Sequence, residues 1–316
     1  MRAATTKILS GATALLLGGT ASASPATPSP TLSTREVQPG VPIYGCTVPG
    51  TIALAFDDGP YIYTGEALDI LKEAGLPATF FVNGATWSPI VNNAREIQRI
   101  LTEGHQLASH TWTHARLTDL NATEVRAEMV TLEETLLSMV GKYPTYMRPP
   151  FLAWNDEVLS VMRFLGYKVI SNNLDTVDWD NNTPETWPNA VANFKAALDA
   201  GGSLVLFHDV HQTTVENLLP EMIKIVKERG LKAVTVGECL GDPKENWYSS
   251  APRNGSEPLP PVETPTNPPV YGPNGSCAGP ELYQCPPGQC CSQYNYCGFT
   301  ADYCAAGCQP LYGRCD

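Results

Sequence analysis

Between residues 51 and 236, short runs rich in β-branched and aromatic residues alternate with amphipathic runs of helical period, and this alternation limits the fold more than any other feature of the chain. The strand candidates are 51–56, 78–82, 106–109, 145–148, 168–171, 203–207 and 232–236. Helical runs over 65–74, 92–103, 123–140, 156–165, 184–200 and 215–229 separate them, several opened by Asn, Thr or Pro and closed by Gly. Strands joined through helices run parallel, so the class is α/β, either an open doubly wound sheet or a closed barrel. We expect a distorted (β/α) barrel with fewer or more irregular units than the usual eight. In such a barrel the chemistry sits at the carboxyl ends of the strands. Reactive side chains gather there: Asp57 and Asp58 after the first strand, His110 and His114 after the third, and Arg148 at the end of the fourth. Asp175 and Asp178 follow the fifth, and His208 and Asp209 the sixth.

The flanking segments are of other kinds. Residues 1–23 combine Arg2 and Lys7, an apolar stretch from Ile8 to Gly19, and the small-residue site Ala21-Ser22-Ala23. This is the pattern of a secretory signal, and its apolar part is too short for a bilayer core of about 30 Å. The mature chain is therefore expected to be secreted, extracellular or in a cell wall. Residues 24–45 read as a flexible lead-in, 46–242 as the barrel domain, and 243–276 as a proline-rich linker. At about 3.1 Å per residue in an extended form, that linker could separate its neighbours by roughly 100 Å. A net charge of −12 argues against a groove for nucleic acid, and neither a membrane nor a nucleic-acid partner is expected. A monomer is expected. Sequons at Asn121, Asn181, Asn254 and Asn274 agree with a secreted glycoprotein, and no hydrophobic tail after Cys315 suggests a lipid anchor.

Cysteine use agrees with an oxidising compartment. Cys46 and Cys239 flank the barrel segment with no other cysteine near either, so a disulfide between them is expected, closing a loop of almost 200 residues. On the chain-entropy account such a bridge stabilises by about 5 kcal/mol at most. The other eight of the ten cysteines fall between Cys277 and Cys315. A segment as short as 277–316 builds no sizeable core, so disulfides must hold it.

His110 and His114 are four apart, which on a helical turn puts both imidazoles on one face, and Asp58 adds a carboxylate. Two imidazoles and one carboxylate with open positions suit a divalent ion of the Zn or Co type. Asp57 and Asp58 are adjacent, and two buried carboxylates repel unless a cation sits between them. A cation on one leaves the other free as a base.

These residues lie in segments that resemble the five ordered motifs of the polysaccharide deacetylases, carbohydrate esterase family 4: Phe56-Asp-Asp-Gly-Pro, Ser109-His-Thr-Trp-Thr-His114, Arg148-Pro-Pro-Phe151, Asp175-Thr-Val-Asp-Trp179 and Leu206-Phe-His208. Within that family the chain is similar to fungal chitin deacetylases. The resemblance implies a metal-dependent removal of acetyl groups from the N-acetylglucosamine units of chitin and chitooligosaccharides, giving chitosan and acetate. It implies Asp58, His110 and His114 as metal ligands, Asp57 as general base with Arg148 fixing its carboxylate, and His208 as general acid oriented by Asp178. It further implies the backbone N–H of Phe151 as a donor to the oxyanion, and Trp179 and Leu206 as walls of the acetyl pocket. Asp175 or Asp180 could stand in for Asp178, and His211 for His208; Asp209 reads as structural. Two rival functions remain: a non-catalytic protein that binds and masks chitin, and a deacetylase of another glycan such as acetylxylan or peptidoglycan.

The run of Cys277, Cys285, Cys290-Cys291, Cys297 and Cys304 resembles the hevein-like chitin-binding module. That resemblance implies the pairs Cys277–Cys291, Cys285–Cys297, Cys290–Cys304 and Cys308–Cys315, although the spacing around Cys308 departs from the family pattern. Ser292, Tyr294, Tyr296 and Tyr303 stand at its sugar-contact positions, where aromatic faces meet the C–H faces of pyranose rings.

Overall fold

The computed structural model describes Met1, residues 37–253, and in the C-terminal segment residues 276–277, 285, 289–292, 294–298, 300–304 and 308. The expected signal, most of the lead-in and residues 254–275 lie outside the described residues. The strands through residue 253 are β1 (Pro42–Ile43), β2 (Thr51–Ala53), β3 (Ala55–Asp57), β4 (Thr79–Val82), β5 (Gln106–Ser109) and β6 (Tyr143–Pro144). They continue as β7 (Tyr146–Met147), β8 (Lys168–Ile170), β9 (Leu174–Asp175), β10 (Val205–His208), β11 (Lys232–Val234) and β12 (Tyr248–Ser249). Between them run α1 (Thr64–Ala74), α2 (Ala94–Thr102), α3 (Ala122–Val140), α4 (Asp156–Leu165), α5 (Trp187–Asp199), α6 (Leu219–Glu228) and the short α7 (Val236–Cys239).

Eight strands form one curled sheet in the order β1-β8-β7-β5-β4-β3-β10-β9, parallel at every pairing, and β11 adds to β2 in parallel. This is a distorted (β/α) barrel. Local chemistry sets the helix ends: Asn121 accepts the N–H groups of Thr123 and Glu124 while the Glu124 side chain returns to the Asn121 N–H, and Gly141 ends α3 in the left-handed conformation. Cys46 and Cys239 are joined, tying the start of the barrel to its last helix. No helix among the described residues is long and apolar enough to cross a membrane.

Alternation along the strands decides where the chemistry points. Ile52, Leu54, Phe56, Phe80, Val82, Leu107, Val205 and Phe207 pack in one cluster together with buried residues of the helices, such as Leu68, Ile97, Leu132 and Phe194. Their neighbours Ala53, Ala55, Phe81, Ala108, Tyr146 and Leu204 form a second cluster on the opposite face of the sheet. Two residues further along the same parity stand Asp57 after Ala55, His110 after Ala108 and Arg148 after Tyr146, with His208 four after Leu204. Side chains repeat every second residue on a strand, so the parity that fills the barrel interior with small and aromatic residues presents these four at its mouth.

The structure corrects several boundaries. Pro42 and Ile43, expected in the flexible lead-in, pair with Val169 and Ile170 of β8. Leu174 and Asp175 form an eighth strand too short to carry a periodicity. The helix expected over 184–200 begins only at Trp187, and that expected from 215 opens as a π turn, Thr214–Leu218, before α6. Residues 243–253, read as linker because of their prolines, pack on the barrel. Trp247 is buried with its indole N–H donated to the Asp242 carbonyl at 2.9 Å, β12 pairs antiparallel with β6, and Arg253 forms an ion pair with the buried Glu133. The indole and the ion pair contribute burial that two flanking prolines do not prevent.

Candidate active site

A cavity of about 510 Å³ opens at the carboxyl ends of the strands and is lined by Asp57, Asp58, His110, His114, Phe151, Leu206, Trp179 and His208, with Arg116 and Asp175. The described non-glycine residues of the barrel with positive φ are Asp58, Thr111, His114, Phe151, Leu152 and Val177, and all belong to the loops that follow β3, β5, β7 and β9. Such conformations cost roughly 1–3 kcal/mol each and persist where surrounding contacts impose them. His110 and His114 do not share a helical turn as expected. They sit on a loop whose φ values at Thr111 and His114 are 72° and 59°, and this bend brings the two rings to 4.9 Å. The Asn83 amide holds that loop by donating to the carbonyls of His110 and Thr111.

Nε2 of His110 lies 3.4 Å, and Nε2 of His114 3.2 Å, from Asp58 Oδ1. The ligand atoms of these three residues fall within 4.8 Å of one another. His110 Nδ1 is 2.7 Å from the Arg148 carbonyl, which can only accept, so Nδ1 carries the hydrogen and Nε2 presents its lone pair. Asp58 Oδ1 is buried without a hydrogen-bond donor. Lone pairs of a carboxylate and an imidazole aimed at one space repel unless a cation fills it, so the donor set fits a divalent ion.

Asp57 faces the same space with its Oδ2 3.8 Å from His110 Nε2, while its Oδ1 accepts from Arg148 Nη1 at 2.8 Å. Arg148 is fully buried. Its Nη2 donates to the carbonyls of Ser171 and Val205 at 3.0 and 3.2 Å, and its guanidinium lies 4.5 Å from the Phe81 ring. Four contacts thus set the direction from which Arg148 holds Asp57.

Across the cavity, His208 Nδ1 donates to Asp178 Oδ1 at 2.9 Å, and the His208 backbone N–H donates to Asp178 Oδ2 at 2.8 Å. Hydroxyls of Thr176 and Thr214 donate to the same carboxylate at 3.0 and 2.7 Å. Burial disfavours the charged imidazole. The Asp178 charge and hydrogen bond, helped by Asp58 and Asp57, overcome it and raise His208 to about 10. Among the aspartates left open by the sequence, Asp178 is the one on His208; Asp175 accepts the Val177 N–H at 2.7 Å and borders the cavity, with its pKa raised by burial. His211 stands 5.9 Å from the His208 ring, its pKa lowered by burial. Asp209 is buried beneath the loop of Asp57 and Asp58: a Cβ on Gly59 would meet both its carboxylate oxygens at 2.6 Å, so that position needs glycine. Burial pushes the Asp209 carboxyl up to about 7.

Sequence reasoning missed Thr176, Thr214 and Asn83. Threonine and asparagine in loops carry no periodic signal, and Thr214 reaches Asp178 from a π turn, an irregularity common at functional sites.

Residues 44–170 match the polysaccharide deacetylase family, and residues 275–315 match the chitin recognition protein family. A chitin deacetylase from a Pestalotiopsis species is 45% identical over 306 residues, which is 96% of this chain and 98% of that one. The chain belongs to the polysaccharide deacetylase family. As a polysaccharide deacetylase it is a hydrolase of N-acetyl amides. The solved chitin deacetylase of the fungal pathogen Colletotrichum lindemuthianum, 42% identical, superposes with a TM-score of 0.67 over 69% of this chain and all of that one. A family pseudoenzyme from Bacillus anthracis, 26% identical, superposes at 0.55 over 64% of this chain and 69% of its own, so the polysaccharide deacetylase fold alone does not decide activity.

The C-terminal segment of this deacetylase is built on disulfides. Cys277–Cys291, Cys285–Cys297 and Cys290–Cys304 are joined, and Cys308 is disulfide-bonded, while Cys315 lies outside the described residues. β13 (Cys290–Cys291) pairs antiparallel with β14 (Cys297–Gly298). Tyr294 and Tyr296 are 72% and 54% exposed, whereas Tyr303 is half-buried with its ring packed on Gly298. Ser292 has a further role in the turn. It is 3% exposed, and its hydroxyl accepts the N–H groups of Tyr294 and Tyr296, which leaves little of it for a sugar.

Proposed function

We propose that the protein is a secreted, metal-dependent chitin deacetylase that hydrolyses the N-acetyl groups of chitin and chitooligosaccharides outside the cell, giving chitosan and acetate. One observation carries the reading. A carboxylate held by a buried arginine and an imidazole held by a buried aspartate face one cavity, beside a set of donors that fits a cation. Asp58, His110 and His114 would hold a divalent ion, zinc or cobalt, which when bound supplies Lewis-acid polarisation of the amide carbonyl and lowers the pKa of water.

The remaining work belongs to the chain. Asp57, unable to swing because Arg148 grips it, accepts a proton from the attacking water as its oxygen bonds to the acetyl carbon. The backbone N–H of Phe151 donates to the developing oxyanion. The C–N bond then breaks, and since an amide nitrogen leaves only once protonated, His208 supplies that proton and is left neutral as the amine departs. Acetate takes the water oxygen and the amine takes the proton. Trp179 and Leu206 close around the acetyl methyl and keep bulk water from the carbonyl. Arg148 and Asp178 position rather than react.

Tyr294 and Tyr296, with Tyr303, offer flat apolar faces to pyranose rings, and a tethered module raises the local concentration of an insoluble polymer. Chitin-binding disfavours acetylxylan and peptidoglycan as main substrates. Acetate release from chitotetraose, measured with and without a chelator and in Asp57→Asn, tests the proposal. Release lost on chelation and restored by zinc or cobalt supports it, whereas full release by Asp57→Asn refutes the mechanism. No release from the native holoprotein leaves only a masking protein.

A further inference from the structure

The barrel strand β4 carries no acid, histidine or cysteine, yet it stands between the two strands that deliver the expected metal ligands. Asp58 follows β3, His110 and His114 follow β5, and both strands pair with β4. Neighbouring strands lie about 4.8 Å apart, so β3 and β5 are separated by roughly 9.6 Å. The ligand atoms nevertheless fall within 4.8 Å of one another. The two loops must therefore lean toward each other over the end of β4, and the positive φ of Asp58, Thr111 and His114 supplies the bend. Such a backbone persists where surrounding contacts impose it.

Those contacts come from the residues that end β4. The Asn83 N–H donates to the carbonyl of Gly59, next to Asp58, at 2.9 Å. Its side-chain amide serves the other loop, donating to the carbonyl of His110 and, at 3.1 Å, to that of Thr111. The N–H groups of Gly84 and Ala85 extend the seam by donating to the Trp112 carbonyl at 3.0 and 2.8 Å. A Cβ on Gly84 would meet the Trp112 ring at 1.7 Å, so the seam closes only with glycine there. Asn83 is 1% exposed, and its Oδ1 is buried without a donor. An unpaired buried acceptor costs stability, and the fold bears that cost where both amide donors are spent on the histidine loop.

We propose that Asn83 is a positioning residue for the metal: with Gly84 and Ala85 it is a splint that holds the Asp58 loop and the loop of His110 and His114 at the spacing one divalent ion needs. The inference rests on the metal-dependent reading of the cavity and gives a role to a strand that supplies no ligand. Asn83 acts through the backbone of the ligands rather than on the ion. Groups that orient metal ligands from behind are worth roughly 10- to 100-fold in metal affinity.

The test uses the full chain, native and as Asn83→Ala, Asn83→Ser and Gln106→Ala. Gln106 is a buried amide at the opposite end of β5 whose Oε1 accepts the Gly237 N–H at 2.8 Å, so its loss weakens the barrel away from the ligand loops. Zinc affinity is measured by competition with a chromophoric chelator, beside the visible absorption of the cobalt-loaded protein and the Tm. Asn83→Ala should weaken zinc binding by roughly 10- to 100-fold and change the cobalt spectrum, and Asn83→Ser, which keeps one donor, should weaken it less. Gln106→Ala should lower Tm yet keep the native zinc affinity and cobalt spectrum. A native zinc affinity in Asn83→Ala, or an equal loss in Gln106→Ala, overturns the splint. Should Asn83→Ala fail to fold, a native affinity in Asn83→Ser overturns it in the same way. A native chain that binds neither metal refutes the metal reading and the splint together. One that binds zinc but releases no acetate refutes the deacetylase reading alone, and the affinity comparison still decides the splint.

Discussion

Replacing Asp178 by Asn removes the charge that keeps a proton on His208, and its consequence can be worked from the structure. Burial alone presses the imidazole below its ordinary 6.5, and the Asp178 charge and hydrogen bond are the largest influences that lift it to about 10. Asn keeps the size of the side chain but lacks the charge, so His208 should fall below 6.5. A general acid must hold its proton, so activity persists below its pKa and is lost above it. At pH 8 an imidazole of pKa 10 is about 99% protonated, and one of pKa 6.5 about 3%, which predicts a loss of thirtyfold or more. At pH 5 both are largely protonated, and the difference should shrink to a few-fold. A cation on Asp58 cancels part of the lesser attraction and moves the alkaline limbs of both proteins down together. The assay is kcat/KM for acetate release from chitotetraose between pH 5 and pH 11. The reasoning is refuted if Asp178→Asn keeps the native alkaline limb, or if its deficit is the same at pH 5 as at pH 8.

Asp57→Asn should lower turnover by about 10²–10⁴-fold while zinc content by elemental analysis stays at the native level, and loss of bound zinc would move Asp57 into the ligand set. His114→Ala should instead cut zinc retention on dialysis, with circular dichroism unchanged. Removing the Cys46–Cys239 bridge by a double Ala substitution should cost up to about 5 kcal/mol, a fall in Tm of roughly 10–20 °C for a domain of this size; an unchanged Tm would show that the bridge constrains nothing. Tyr294→Ala with Tyr296→Ala should abolish retention on insoluble chitin but leave kcat/KM on soluble oligomers intact, because these exposed rings act only in tethering.

The barrel could be read from the chain because most of its strands run three or four residues, long enough for buried side chains to alternate between the helix-facing and the interior cluster and leave a period-two trace. Ala53, Ala55 and Asp57, or Leu204, Leu206 and His208, show the interior face and the reactive residue that ends it. The strands of the eight-stranded sheet that went unseen, Pro42–Ile43 and Leu174–Asp175, have two residues each and so no period at all. Their existence depends on the partner strands β8 and β10.

The candidate site divides in the same way. The carboxylates, imidazoles and arginine stood out because such side chains are costly to place beside apolar strands without a purpose. Which aspartate orients His208 could not be chosen from spacing, since Asp175, Asp178 and Asp180 lie within six residues of one another. The choice came from β10, which brings the His208 imidazole and backbone N–H onto Asp178, and from the π turn that adds Thr214.

By itself the sequence determined the parallel α/β arrangement, the cysteine-rich module and which side chains are candidates for the site, because periodicity and residue chemistry are local properties. Tertiary structure alone decided that His110 and His114 converge on Asp58 from a bent loop, that Thr176 and Thr214 join His208 on Asp178, and that residues 243–253 pack on the barrel. Each of these depends on contacts between residues far apart in the chain, and no short window of sequence contains both partners.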